Sequence, residues 1–247
     1  MSWLDPVRAA LDDLEQPVAV FFRDDDAGWG DAQLAKMLDR FGHHGVPIDL
    51  AVIPTELTPP LAASLIARAA TAELHLHQHG FAHRNHEPTG RKYELGPARS
   101  ITAQAADVKR GKELLARALG DLVEPIFTPP WNRCTGDTGE VLAELGFRVL
   151  SRDHTAPPLG RADLVEVPVT IDWFGQTKGI PWSRTQLAAR IVESIGAGGA
   201  VGVMLHHAVT DTNELAAIDE LLALVASHPA VTSTTILEVA VGVGAAG

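Results

Sequence analysis

Seven short apolar stretches, most separated by amphipathic segments and most ending in polar residues, limit what this chain can fold into. They lie at 17–23, 47–53, 73–79, 125–128, 147–151, 164–171 and 201–205. The first, PVAVFFR, is apolar almost throughout, as a strand covered on both faces should be. Helical patterns cover 5–14, 60–70, 101–119, 137–145, 183–195 and a last segment from about 212 to 228. Another carries the stripe Leu34, Met37, Leu38 and Phe41. Asp5, Asp31 and Ser183 are the expected caps, and 242–247 reads as a frayed tail. Strands alternating with helices imply parallel pairing through right-handed crossovers. An open doubly wound sheet would gather its ligand groups at one switch point. Here polar residues end most of the strands, which a closed or nearly closed barrel explains better. The expected architecture is α/β, with all 247 residues in one domain.

Charge narrows the function classes. Lys and Arg total 20 against 31 Asp and Glu, a formal charge of -11. No stretch gathers the basic patch that would neutralise phosphates, so a nucleic-acid partner is not expected. The opening MSWLDPVRAA has neither a basic n-region nor an apolar h-region. No apolar run approaches membrane-spanning length, and a cytoplasmic, membrane-free protein is expected. Cys134 is the single cysteine, which excludes an intrachain disulfide and offers no readable nucleophilic triad.

The chemistry concentrates in ELHLHQHGFAH, residues 73–83. Alternation puts His75, His77 and His79 on one strand face and Leu74 and Leu76 on the other. Gly80 breaks the pattern, and the four-residue spacing of His79 and His83 brings both rings to one side if the chain turns helically. Two neutral imidazoles need a carboxylate to complete a site for a first-row divalent ion. Asp24, Asp25 and Asp26, directly after the first strand, supply the choice. Neighbours on a strand diverge, so at most two of the three can serve one atom. The useful arrangement is one carboxylate on the metal and one taking a proton from water.

FRDDDAG (22–28), HGFAH (79–83), FTPPW (127–131), IDW (171–173) and MLHH (204–207) occur in the order and spacing of the NodB-like polysaccharide deacetylases. The chain thus resembles a divergent branch of that superfamily, carbohydrate esterase family 4, over about 18–240. The resemblance implies a distorted (β/α)7 barrel holding one divalent ion, zinc before other first-row ions. Aligned on the family pattern, Asp26, His79 and His83 are the metal ligands and Asp25 is the general base. An alignment one residue back gives Asp24 and Asp25 instead. His206, or His207 by one residue, matches the histidine that protonates the leaving amine, with Asp153 or Asp172 supporting it.

One departure matters. The arginine that orients the base in the family falls here at Thr128, and Arg23 or Arg152 is the replacement expected. Trp131 and Trp173 read equally as walls of an acyl pocket or as core, and the long polar stretch 84–99 reads as a rim or lid. The function implied is metal-dependent removal of an acyl group, foremost N-acetyl, from an amino sugar or related amide. The substrate would be a small molecule or an oligosaccharide. The alternatives are hydrolysis of a small non-sugar C–N bond, and a non-catalytic carbohydrate-binding or scaffold protein on the same barrel. The sequence does not indicate an oligomeric state.

Overall fold

A computed structural model of the chain describes residues 2–175 and 182–245. The order of elements is α1 (Asp5–Asp12), β1 (Val18–Ala27), α2 (Asp31–His44), β2 (Ile48–Val52), α3 (Pro59–Ala69) and β3 (Leu74–His79). There follow α4 (Ile101–Leu119), β4 (Val123–Thr128), α5 (Gly136–Glu144), β5 (Val149–Leu150), β6 (Val165–Glu166) and β7 (Ile171–Asp172). The chain continues through α6 (Arg184–Ala197), β8 (Val201–Leu205), α7 (Thr212–Ser227), β9 (Val231–Ser233) and α8 (Ile236–Ala245).

The described strands form one parallel sheet in the order β6-β5-β4-β3-β2-β1-β8-β7, with β9 added beside the start of β1. The stretch 164–171 is therefore two strands, not one. Pro168, which has no N–H to donate, lies between them. Val167 donates to Leu150 of β5 and Val169 to Arg152 two residues beyond it, whereas Thr170 and Trp173 donate to β8. One segment thus touches both edges of the curled sheet, although β6 and β7 do not pair. The result is a distorted, open barrel.

Strand parity sorts the core. Val18, Val20 and Phe22 of β1 pack with helices α1, α2, α6 and α7 in the outer core. Phe21 packs inward with Ile126, Val149, Met204 and Ile236. Gly202 makes room for that ring, since a Cβ there would lie 2.3 Å from the Phe21 Cζ. A third cluster fills the space between α4, α5, β4 and β5. Helix α8 plugs the barrel end opposite the strand C-termini, where its Ile236 N–H donates to Asp49 Oδ2 at 3.0 Å. Residues 242–245 are helical, not frayed as their composition suggests, and 246 and 247 lie outside the described residues.

Two caps differ from expectation. Leu4 precedes α1 and the left-handed Gly30 precedes α2, so Asp5 and Asp31 sit inside their first turns and meet the helix dipole there. Ser183 caps α6 as expected, in a reciprocal box with Gln186. No described helix is long and apolar enough to cross a membrane.

Candidate metal centre

Strand β1 alternates until Asp24 and then breaks. Its register with β2 shifts between Asp24 and Ala27, and Asp26 adopts a left-handed φ of 69°. The kink gives the three aspartates three different surroundings.

Asp24 pairs away from the metal-binding trio. It accepts from the His207 backbone N–H at 2.9 Å and faces His207 Nδ1 at 2.5 Å. His207 Nε2 lies 2.6 Å from the Trp29 carbonyl. Both ring nitrogens face acceptors, so the ring holds two protons. Burial alone would lower its pKa, but the Asp24 carboxylate overrides this and lifts it to about 9. His206, one residue earlier, is half-buried, with Phe174 at 6.4 Å between ring centroids.

Asp25 meets Arg23 two residues before it. Arg23 Nε donates to Oδ1 at 2.8 Å and Nη2 to Oδ2 at 2.9 Å, a bidentate pair sealed from solvent. Ser151 and Asn132 accept further Arg23 protons at 2.9 and 2.7 Å. Burial would raise the Asp25 pKa, yet Arg23 first, then His79 and His206, hold it below the usual carboxylate range.

Asp26 meets the histidines. Its Oδ1 lies 3.2 Å from both His79 Nε2 and His83 Nε2. Among the described residues this trio is the one group whose ligand atoms could hold a metal ion, all within 4.8 Å of one another. Burial opposes ionisation of Asp26, but the two imidazoles keep its carboxyl strongly acidic. Burial and the neighbouring His79 lower the His83 pKa to about 4, so this ring is neutral at pH 7. The Thr128 carbonyl takes the His79 Nδ1 proton at 3.0 Å, so Nε2 is the nitrogen available to a metal. Burial would lower this ring's pKa, but Asp26, which faces Nε2, and Asp25 raise it until an ion displaces the Nε2 proton. Donor set, tautomer and convergence all fit a first-row divalent ion.

The turn from His79 to His83 is not helical. Gly80 and His83 have φ of 53° and 50°. The buried Glu94 carboxylate holds the turn together by accepting from the N–H groups of Phe81, Ala82 and Arg84 at 2.8, 2.8 and 3.1 Å. A side chain at Gly80 would collide with Glu94 and Pro130. Sequence reasoning placed Glu94 on a polar rim, and nothing in the spacing marked it as the residue under the turn. Asp26, His83, Trp131 and Asn132 are the four non-glycine residues with positive φ among those described. Backbone strain of about 1–3 kcal/mol each gathers where over-determined positioning is needed.

Trp131 packs on His83 with ring centroids 4.6 Å apart, and Trp29 meets the same imidazole edge to face at 4.8 Å. Trp131 also walls a cavity of about 270 Å³ that continues over Asn132 and Met204. Trp173 belongs to the core, where its Nε1 donates to Glu214 at 2.7 Å. Asp153 and Asp172 both face the cavity, but neither bonds the His206 ring. Asp153 accepts from Thr155 N at 2.9 Å and Asp172 from Phe174 N at 3.1 Å. Arg152 pairs with Glu166, away from Asp25. Burial lifts the Cys134 thiol to about 11, which leaves it unreactive.

No family profile and no curated protein matches the sequence. Solved structures do. The fold is that of the polysaccharide deacetylases of carbohydrate esterase family 4. A Mycobacterium smegmatis protein assigned as a polysaccharide deacetylase superposes with a TM-score of 0.72 at 20% identity, over 95% of this chain and 92% of that one. A family 4 acetyl xylan esterase from Clostridium thermocellum, in complex with cobalt, gives 0.62 at 14%, over 92% of each chain. The Puue allantoinase gives 0.67 at 13%, over 92% of this chain and 90% of that one.

Proposed function

We propose that this protein is a metal-dependent hydrolase of an amide, with an N-acetylated amino sugar or a related small amide as substrate. The observation that carries the reading is the Asp26–His79–His83 trio beside a carboxylate, Asp25, clamped by its own arginine. We take the ion to be zinc; when bound it supplies Lewis acidity and eases deprotonation of water.

The remaining roles belong to the chain. Asp25 is ionised and takes the proton of the attacking water, its oxygens aimed by Arg23. His206 reaches the site from the end of β8 and returns a proton to the leaving nitrogen. Asp172, on the strand paired with β8, is the better placed of the two candidate aspartates to support it, while Asp153 faces the same cavity. A backbone N–H near Trp131 meets the developing oxyanion. The cavity of about 270 Å³ beside the trio has room for a small amide. Hydrolysis of a small non-sugar C–N bond is the second reading, and the shared fold with an allantoinase agrees with it.

Metal reconstitution followed by acetate release from a panel of N-acetylated sugars and amino acids is the test. Wild type should retain about one ion per chain, and H79A or H83A should lose it. D25N and H206A should each lower kcat by roughly 10²- to 10⁴-fold with little change in KM. Wild-type turnover in both variants would sink the assigned roles, and wild type without bound metal would sink the site.

A further inference from the structure

The cavity next to the trio is lined by charges of both signs. Arg91 and Arg133 line one end, carried by the 84–99 segment and by the connection after β4. Asp153 and Asp172 line the other, carried by the chain ends after β5 and at β7, together with Arg152, whose charge is answered by Glu166. Trp131 and Asn132 lie between them and the metal-binding trio, touching His83 and Arg23.

The two ends differ in how well their charges are answered. Asp153 and Asp172 each accept a hydrogen bond from a neighbouring backbone N–H. Arg91 and Arg133 have no carboxylate within 4.0 Å among the described residues. Arg133 gives one proton to the Lys92 carbonyl at 3.3 Å. The Lys92 ammonium stands 5.8 Å from the Trp131 ring centroid, adding a third positive charge beside this end. In a chain of net charge -11, acidic partners are plentiful, yet these two guanidinium groups face the cavity without one. A planar fork of N–H donors in a recess suits a carboxylate, which it can grip by two bonds at once.

We propose that the Arg91–Arg133 end is an anion subsite, and that the substrate is an amide bearing a carboxylate. The inference rests on the hydrolase reading for its amide and on the cavity alone for its charge. The aspartate end repels the same group, so the substrate enters in one orientation. Its carboxylate lies toward the 84–99 segment, and the departing amine emerges toward Asp172.

Two matched pairs of probes test this: N-acetylmuramic acid against N-acetylglucosamine, and N-acetylglutamate against N-acetylglutamine. Binding is measured on the full chain stripped of metal, by calorimetry or ligand-observed NMR. At least one acidic member should bind about tenfold or more tightly than its neutral mate, the scale of a charge-assisted hydrogen bond. The preference should shrink at about 0.5 M salt and vanish in R91Q/R133Q, with metal capacity unchanged. R91E should reduce it more than R91Q does. Arg91 is exposed and makes no side-chain bond among the described residues, so R91Q alone is expected to fold as wild type. The salt series on wild type needs no variant. Equal binding within both pairs, or a preference that survives R91Q/R133Q, overturns the subsite. Turnover of neutral amides without any preference overturns the subsite and leaves the hydrolase standing. Anion preference in a protein that hydrolyses no amide when loaded with metal keeps the subsite and overturns the hydrolase.

Discussion

Arg23 and Asp25 make a pair that strand geometry forces and chemistry then uses. Residues two apart on β1 share a face, so a guanidinium placed one step inside the barrel reaches the carboxylate at its rim. The family-like position for such an arginine is Thr128 here, and that side chain instead takes His77 Nε2 at 2.9 Å. R23M would leave the Asp25 charge buried without a partner. Its expected cost is about 3–5 kcal/mol in urea unfolding, the usual penalty for breaking a buried pair from one side. R23M/D25N should recover much of that, because both charges are gone. A loss below roughly 1 kcal/mol for R23M would mean the pair behaves like a surface bridge. The three aspartates were legible as a group and not as individuals. Parity alone separates Asp24 from Asp25. The assignment of Asp26 depends on a register shift and a left-handed residue, and neither leaves a mark in the letters.

At the scale of elements, the strands and helices followed from periodicity, and the connections did not. Helix α4 (Ile101–Leu119) has the bounds its pattern implies, and the capping box of α6 is written in Ser183 and Gln186. The HGFAH turn brings both histidine rings to one side, as the four-residue spacing allows, but does so without the helical turn on which that spacing depended. What shapes it is Glu94, eleven residues after His83 and buried by tertiary contact alone. The long 84–99 segment is thereby tied to the metal centre through backbone amides. E94Q would replace one acceptor oxygen with an NH₂ that faces backbone N–H groups. Metal affinity should fall about 10- to 100-fold, the range typical of groups that orient ligands, with little change in far-UV circular dichroism. A chelator competition assay measures it, and unchanged affinity would remove Glu94 from that role.

The whole molecule carries a polar thread through its barrel, which strand alternation predicted only in part. Below the metal centre lie His77, then Asp49, His75 and Glu124, with buried Asp49 Oδ1, His75 Nε2, His77 Nδ1 and Glu124 Oε2 lacking a hydrogen-bond partner among the described residues. Burial is the main cause that lifts Asp49 to about 8, and Glu124 adds to it. The Ile236 N–H, His75 and Arg23 pull the other way. The consequence for stability has a definite sign. A carboxyl raised in the fold binds its proton more tightly than in the unfolded chain, so stability is lost as pH rises toward 8. His207, raised to about 9, adds stability that is complete below 6.5 and lost through 9. His77 and His83, lowered to about 3 and 4, act oppositely, but only below 6.5. Above 6.5 the slopes therefore agree, and stability should fall between pH 6.5 and 9. The limit is about 1.4 kcal/mol per pH unit for each extra proton held by the fold. D49N keeps an oxygen for the Ile236 N–H and removes one titrating group. It should be more stable than wild type near pH 6.5, by up to about 3–4 kcal/mol, because unfolding no longer releases that proton, and its stability should fall roughly half as steeply up to pH 8. Urea unfolding at several pH values, in chelator so that metal binding adds no linkage, reads both slopes. Parallel curves for wild type and D49N would show that Asp49 is ionised in the fold throughout, its charge met by His75 rather than by a proton.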